Sequence, residues 1–331
     1  MDFLNLLMFL GGLVALVLGA YALVEGGVKV ARILGIPSVV VGLTVVAFGT
    51  SAPEFFVSLV GALRGSTALV LGNVMGSNVA NLGLILAAAG LLRPVTVEAD
   101  LARREIPLMV AATMFFCILA WDGNITRLNA GLLTAGFLGF MLYTLLGKRG
   151  AVPVEPGTPP RETGFAPRDW RGILLGSLWT LVGIVALALG GKLITDAAVT
   201  IAQALGVSET VIGLTMVAVG TSLPELATTI MAALRKEGDL ALGNIFGSNV
   251  FNLLGVAGPV GLIRPLRADP GVVAVPWLGL DLARFQFQVI TMLFITLVVW
   301  GMSGTGGRRF GRLRGGLLLG LYGAIMVSWM I

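Results

Sequence analysis

The chain has 331 residues, of which 56% are hydrophobic and 12% are charged, and its mean hydropathy of +0.96 favours a protein embedded in lipid over a soluble domain. The net charge of +5 does not indicate nucleic-acid binding, because the basic residues lie in loops between apolar stretches. With no histidine and a single cysteine, Cys117, the chain excludes histidine-ligated or thiolate-ligated metal sites and a disulfide framework.

Ten apolar stretches, each long enough to cross a bilayer as a helix, follow one another along the chain. The first lacks a basic leader and is too long for a signal-peptide core, so we interpret it as an uncleaved span. The segment 148–170 is rich in proline and charge, which predicts a solvated linker. We therefore predict an all-α integral membrane protein with spans at residues 3–24, 36–63, 67–92, 104–121, 125–147, 171–195, 207–234, 239–263, 284–302 and 313–331.

Lysine and arginine residues concentrate in alternate loops. Lys148 and Arg149 open the linker, and Arg308 and Arg309 precede the last span. Because cytoplasmic loops carry the excess of basic residues, the pattern predicts a cytoplasmic linker and N- and C-termini on the outside. We expect the protein to lie in the cell inner (plasma) membrane.

An internal repeat relates the two halves of the chain. Residues 34–94 align without a gap with residues 205–265, and both segments contain the motifs G-T-S-x-P-E and G-N-x-x-G-S-N. Apolar bias alone would not align these polar residues, so we infer a duplication, with halves at 1–147 and 171–331. Each half has five predicted spans, an odd number, so the second half enters the membrane inverted. Inverted repeats are typical of secondary transporters, whose site lies near the midplane where the halves meet.

Two acidic residues, Glu54 and Glu225, lie in the middle of long apolar spans at equivalent positions of the repeat. A charge at the bilayer centre costs about 2.5–3.5 kcal/mol on insertion scales, so such residues need a role. A lone membrane glutamate can serve as a protonated contact between helices. Two of them, each inside the same polar hexapeptide, indicate a cation site instead.

Polar and backbone oxygens near the two glutamates can complete such a site. Pro53 and Pro224 each remove a backbone donor, so we expect carbonyls in the preceding turn to be freed, at Ala47, Thr50, Ala218 and Thr221. On the following span of each half, a serine and an asparagine share one helix face: Ser77 with Asn81, and Ser248 with Asn252. We expect the two asparagines to touch the ion. Four other asparagines are expected to be structural: Asn73, Asn78, Asn244 and Asn249.

The charge of the predicted site suits exchange. Two carboxylates balance one Ca2+ ion, and with carbonyls and amides they can supply the six to eight oxygens that Ca2+ prefers. The same two charges could instead hold two or three Na+ ions or two protons. Ions that compete for shared carboxylates cannot all be bound at once, and a site that then reorients between the two sides performs antiport.

The paired motifs resemble the two alpha repeats of the cation/calcium exchanger superfamily, in particular its prokaryotic sodium/calcium antiporters. The resemblance implies an ion-binding core made by spans two, three, seven and eight, with spans one and six sliding against it. It implies that Glu54 and Glu225 bind Ca2+ with the carbonyls of Thr50 and Thr221, and that Asn81 and Asn252 complete the centre. The flanking Na+ sites would be lined by Ala47, Ser51, Ser77, Ala218, Ser222 and Ser248.

One departure from the family pattern leaves the coupling open. Related exchangers often carry an aspartate at one of the positions that Asn81 and Asn252 hold here, whereas this chain has an amide at both. The predicted site therefore has two acids and no third. Stoichiometry, electrogenicity and potassium dependence do not follow from the sequence.

Other functions compete with sodium/calcium exchange. A Ca2+/H+ antiporter is the first alternative, because buried glutamates can take protons as counter-ions. A cation channel is a weaker one, since inverted repeats around an acidic site suit alternating access. A scaffold or an intramembrane enzyme would leave the glutamates unexplained, and we find no nucleophile–base pair. We expect no enzymatic activity and no cofactor beyond the transported Ca2+ and Na+ ions. The expected partners are these ions and membrane lipid, with no nucleic acid and no nucleotide, and a monomer is expected to be sufficient for transport.

Overall fold

The computed structural model describes residues 3–99, 101–146, 169–204, 218–268, 271–275, 280–304 and 309–330. Most of the predicted linker 148–170, and the start of the seventh predicted span at 207–217, lie outside the described residues. The α-helices are α1 Phe3–Leu34, α2 Ser38–Val41, α3 Ala47–Thr50, α4 Ala52–Leu63, α5 Thr67–Ala80, α6 Leu86–Leu92, α7 Ile106–Ala120, α8 Arg127–Leu146, α9 Trp170–Ala204, α10 Ala218–Thr221, α11 Leu223–Leu234, α12 Gly238–Val250, α13 Ala257–Ile263, α14 Arg284–Ser303 and α15 Arg312–Met330.

In the described part of the chain, four π-helical segments interrupt or precede these helices, at Gly42–Val46, Asn81–Ile85, Leu101–Glu105 and Phe251–Val256. A π-turn carries an extra residue within a helix and is frequent at functional sites. The first, second and fourth of these segments join short α-helices into longer runs. Through them, the described part of the chain forms helical runs at 67–92 and 238–263 that agree with two of the predicted spans to within one residue.

The first helix is longer than predicted. α1 runs for 32 residues and ends at Leu34, where Gly35 takes a φ of +66° that stops the helix. The prediction that the first helix ends at residue 24 was therefore wrong. α9 is similarly longer than the predicted 171–195. Both helices carry their polar ends beyond the apolar stretch, so apolar length alone underestimates them.

Six described helices are long and apolar enough to cross a membrane, at Leu4–Leu34, Thr67–Leu92, Arg127–Leu146, Trp170–Ile201, Gly238–Ile263 and Arg284–Ser303. A seventh span results if Ser38–Thr50 and Ala52–Leu63, which are bent by 44° at Ser51, count as one. Large apolar side chains face outwards on these helices; Ile118 and Leu128, for example, are 71% and 73% exposed. Such an apolar outer surface is expected where the surroundings are lipid.

α1 and α9 pack against each other along most of their length. The approach is close because glycines face the partner backbone: a Cβ atom on Gly19 would lie 2.9 Å from the Leu187 nitrogen. Small residues of this kind let membrane helices pack backbone to backbone. The pair also covers α11, so one side of the remaining helices is closed by α1 and α9.

Short antiparallel strand pairs tie loops together at two ends of the molecule. β1 Val95–Thr96 pairs with β6 Arg309–Phe310, and β2 Asn124–Ile125 pairs with β3 Leu266–Arg267. A third pair, β4 Val272–Val275 and β5 Leu280–Ala283, forms within one loop. The sequence did not predict these strands. The β1–β6 pair joins two loops that the ten-span layout places on one side, and β2–β3 joins two loops that it places on the other.

Candidate functional site

Two matching helix breaks form the centre of the molecule. α3 ends at Thr50 and α4 begins at Ala52, while Ser51 between them has φ −85° and ψ 5°. The second half repeats this geometry at Ser222, with φ −87° and ψ 3°. Each break is followed by a proline in the first turn of the next helix, where the missing N–H causes no loss. The sequence G-T-S-x-P-E therefore ends one helix and starts another.

Glu54 and Glu225 lie in the first turns of α4 and α11, and each side chain is 1% exposed. The N-terminus of a helix carries a partial positive charge, so this position favours a carboxylate. Each glutamate also accepts a hydrogen bond from the serine of the opposite break. Ser51 Oγ donates to Glu225 Oε1 at 2.7 Å, and Ser222 Oγ donates to Glu54 Oε1 at 3.2 Å.

The threonines of the two breaks make a second pair of crossed contacts. Thr50 Oγ1 donates to Asn244 Oδ1 at 3.1 Å, and Thr221 Oγ1 donates to Asn73 Oδ1 at 3.5 Å. Ser222 Oγ also lies 3.4 Å from Ser77 Oγ. The polar hexapeptide of each half is therefore bonded to the other half, and this brings the two glutamates into one buried polar centre.

Several buried polar atoms of this centre have no hydrogen-bond partner. They are one oxygen of each glutamate, both polar atoms of Asn81 and Asn252, and the Ser248 hydroxyl. An unpaired buried polar group costs about 1–3 kcal/mol, and more if it is charged. Such a cost is offset when a cation binds these oxygens. Unpartnered carboxylate, amide and hydroxyl oxygens within one buried centre are the donor set of a hard-cation site.

The two unpartnered asparagines lie in π-helical segments. Asn81 begins the segment Asn81–Ile85, and Asn252 is the second residue of Phe251–Val256. Each side chain is 1% exposed. Asn81 follows Ser77 by one turn and Asn252 follows Ser248 by one turn, so the predicted shared helix face places the hydroxyl and the amide of each half together.

The backbone oxygens differ in part from expectation. The Ala47 carbonyl accepts the Ser51 N–H at 3.0 Å and lies 3.4 Å from the Thr50 hydroxyl, so Pro53 has not freed it. A proline removes the bond to the carbonyl four residues earlier, which is that of Gly49. Ala218, the predicted equivalent in the second half, is the first residue of α10, and its side chain lies outside the described part of the structure.

The structure shows polar residues near the site that the sequence reasoning missed. Asn73 Nδ2 donates to Ser58 Oγ at 3.1 Å, and Asn244 Nδ2 donates to Thr229 Oγ1 at 3.0 Å. Ser58 and Thr229 hold equivalent repeat positions, and this was the signal that could have found them. Thr228 is also fully buried, and its hydroxyl has no partner.

The donor set limits the chemistry of the centre. Among the described residues, no group of three or more histidine, cysteine, aspartate or glutamate side chains could hold a metal ion. Two carboxylates are therefore the acidic groups that the described residues bring to this centre, and amides, hydroxyls and carbonyls are the other oxygens that they offer. Oxygen donors of these kinds are the ones that a hard cation prefers.

Comparison with known proteins gives a consistent family. The family described as sodium/calcium exchanger protein matches residues 4–146 and 175–330. Inner membrane protein YrbG of Escherichia coli (strain K12) is 34% identical over 324 residues, which cover 96% of this chain and 95% of YrbG. Sodium/calcium exchanger MaX1 of Methanosarcina acetivorans is 31% identical over 350 residues, which cover 89% of this chain and 97% of MaX1.

A solved structure of the sodium-calcium exchanger NCX_Mj superposes on this chain with a TM-score of 0.82 and 28% sequence identity, covering 99% of both chains. The family match spans both halves of the sequence and leaves out the segment between 146 and 175. The helical membrane-spanning architecture, the paired motifs and these similarities agree. The chain belongs to the sodium/calcium exchanger protein family, within the cation/calcium exchanger superfamily, and is a membrane antiporter of cations.

Proposed function

We propose that this protein exchanges Ca2+ for Na+ across the membrane by alternating access. The observation that carries the proposal is the pair of buried glutamates, each bonded to the opposite half through one oxygen and unpartnered at the other. The relatives MaX1 and NCX_Mj are both sodium/calcium exchangers, which supports sodium as the counter-ion.

The proposed ion site has one acidic centre and two flanks. Glu54 and Glu225 bind Ca2+ directly, with the carbonyls of Thr50 and Thr221. Asn81 and Asn252 complete the centre. Sodium ions take flanking positions lined by Ala47, Ser51, Ser77, Ala218, Ser222 and Ser248. The serine hydroxyls that donate to the glutamates in the absence of ions would turn their oxygens to the cation when it binds, since a hydroxyl can both donate and accept.

Exchange follows from competition for the two carboxylates. One Ca2+ ion neutralises both, and so do two Na+ ions, so either cargo removes the cost of burying the charges. A site that holds neither cargo keeps two uncompensated charges in the membrane, and reorientation of the empty site is therefore disfavoured. Movement of the centre between the two sides then carries one cargo in and the other out.

The proposed architecture is ten transmembrane helices in two inverted repeats, 1–147 and 171–331, joined by a cytoplasmic linker at 148–170. Both termini lie outside, the protein lies in the cell inner membrane, and a monomer is sufficient for transport. The name of the relative YrbG supports the inner membrane. The transported ions are cargo, and we propose no resident cofactor and no catalytic activity.

The test is Ca2+ uptake into proteoliposomes that are loaded with Na+ and diluted into Na+-free buffer, with a matched pH gradient in a second sample. Uptake that depends on the Na+ gradient is expected. Protein-free liposomes and liposomes with equal Na+ on both sides are the controls. No uptake under either gradient would contradict the proposal.

A Ca2+/H+ antiporter of the same fold is the second candidate. It is favoured by the unpartnered carboxylate oxygens, each of which could carry a proton in place of a metal ion. In the same experiment this alternative predicts uptake driven by the pH gradient alone. The site and the fold would then stand, and the counter-ion would change.

A further inference from the structure

We propose that the Thr228 hydroxyl is a further cation contact, on the path between Glu225 and one side of the membrane, and that it makes the two access paths chemically different. This inference rests on the proposed antiport function. Thr228 lies in α11, three residues after Glu225, so its side chain shares a face with Glu225 about 4.5 Å further along the helix.

The hydroxyl of Thr228 is buried and unused. The side chain is 0% exposed and Oγ1 has no hydrogen-bond partner. Threonines within helices commonly donate to the carbonyl four residues earlier. Thr44, Thr113, Thr180 and Thr296 do so here, at 2.7–2.9 Å. Thr228 makes no such bond, although it is as buried as these four.

The neighbouring Thr229 shows the contrast. It lies on the other side of Glu225 around the helix, and its hydroxyl accepts the Asn244 amide N–H at 3.0 Å. Thr229 therefore holds α11 to α12, a structural role that its counterpart Ser58 shares with Asn73 in the first half. Thr228 has no such partner, which leaves its oxygen available to a ligand.

Thr228 has no polar counterpart in the first half of the repeat. The unpartnered polar residues of the centre have polar counterparts in the other half: Glu54 with Glu225, Asn81 with Asn252 and Ser77 with Ser248. The counterpart of Thr228 is Val57, which has no polar atom and is only half-buried. Thr228 therefore adds an oxygen to one half of the centre only.

The side of the membrane follows from the helix direction. α11 runs from Glu225 towards Arg235, the end at which α1 packs on α11 and which the proposed orientation places in the cytoplasm. A cation that moves between Glu225 and the cytoplasm passes Thr228, where a hydroxyl can replace one of the waters that the ion loses. On the opposite path the ion passes Val57 and gains no such contact.

The test compares Ca2+ affinity on the two faces in right-side-out and inside-out membrane vesicles. Thr228→Val removes the oxygen and keeps the shape. We expect the KM for Ca2+ on the cytoplasmic face to rise roughly three- to tenfold, the range of one hydrogen bond, with the KM on the other face and the maximal rate nearly unchanged. Thr228→Ser should restore the wild-type KM.

Thr228→Ala is a second variant without the hydroxyl, in case Thr228→Val fails to fold, and size-exclusion chromatography reports folding. A cytoplasmic KM in the folded variant that equals the wild-type value, or an equal rise on both faces, would overturn the proposal. Wild-type vesicles show which proposal fails. If the wild type shows no cation-driven Ca2+ uptake, it is the antiport proposal that fails, and not the role of Thr228.

Discussion

Removal of either buried carboxylate is the most direct test of the proposed cation site. Glu54→Gln and Glu225→Gln each remove one of the two buried charges and keep the side-chain shape. Ca2+ then binds to a site with half the negative charge, so we expect uptake to be lost while the protein stays folded. Ca2+ uptake into proteoliposomes measures the effect, and size-exclusion chromatography measures folding.

The matched control for both variants is Glu98→Gln, which makes the same change at an exposed residue of a loop. It should transport like the wild type. Normal uptake by Glu54→Gln or by Glu225→Gln would mean that the corresponding carboxylate does not bind the cation, and the site assignment would fall.

At this scale the sequence predicted which residues gather but not their bonds. The repeat placed Glu54 and Glu225 in one centre, because identical polar motifs in inverted halves must meet. It could not predict that Ser51 donates across to Glu225, because that bond joins residues from different halves and depends on how closely the halves approach. The sequence reasoning also missed Thr228, because a threonine next to Thr229, with Val57 at the equivalent repeat position, forms no recognisable motif.

The helix breaks are the elements on which the site depends. Pro53→Ala would restore the N–H that α3 and α4 lack at the break, so the chain could form one continuous helix through Ser51 in place of the 44° bend. The Ser51 and Thr50 hydroxyls would then leave Glu225 and Asn244. We expect Ca2+ uptake to fall at least tenfold, on the order of the loss of one or two crossed hydrogen bonds, with a melting temperature equal to or above that of the wild type.

Pro107→Ala is the control, because Pro107 also lies in the first turn of a helix, α7, but the residue before that helix, Glu105, keeps helical angles of φ −76° and ψ −43°, unlike Ser51. Its uptake should match the wild type. Undiminished uptake by Pro53→Ala would show that the bend is not needed for the site. The sequence predicted the prolines as disruptions, but it did not predict the π-helical segment Gly42–Val46 that precedes Pro53.

A pair of side-chain contacts joins α1 to the end of α11. Arg235 lies 2.6 Å from Glu25 Oε2, and its guanidinium lies 4.5 Å from the centre of the Tyr21 ring. Both charged side chains are partly exposed, so we expect a coupling of only about 0.5–1 kcal/mol. A double-mutant cycle of Arg235→Gln and Glu25→Gln, read from melting temperatures in detergent, measures it.

Choline chloride, which supplies no transported cation, should weaken this coupling as it screens the pair. The Lys192–Asp196 pair, at 3.4 Å within α9 and more exposed, is the control and should give a smaller coupling because it joins no two helices. A coupling of zero between Arg235 and Glu25 would show that this ion pair does not stabilise the packing of α1 on α11.

For the whole molecule, composition and the repeat were enough to predict a membrane antiporter. The long apolar stretches determine the helices, and the duplication determines that two similar halves face each other. The strands could not be predicted, because two-residue pairs such as β1 and β6 have no periodicity and form only when distant loops meet. The length of α1 also depends on its partner, since α9 covers polar turns that the apolar pattern leaves out.

The orientation of the molecule is the last prediction. In a Cys117→Ala background, Asp122→Cys and Glu98→Cys place a single thiol in two exposed loops that the ten-span layout assigns to opposite faces. A membrane-impermeant maleimide should label Asp122→Cys in intact cells and Glu98→Cys only after permeabilisation, because in the proposed ten-span layout α7 crosses the bilayer between them. The reverse result would invert the sidedness, which would also move Thr228 to the outer path. Labelling of both from one side would mean that α7 does not span the membrane, and the arrangement of five spans in each half would be wrong.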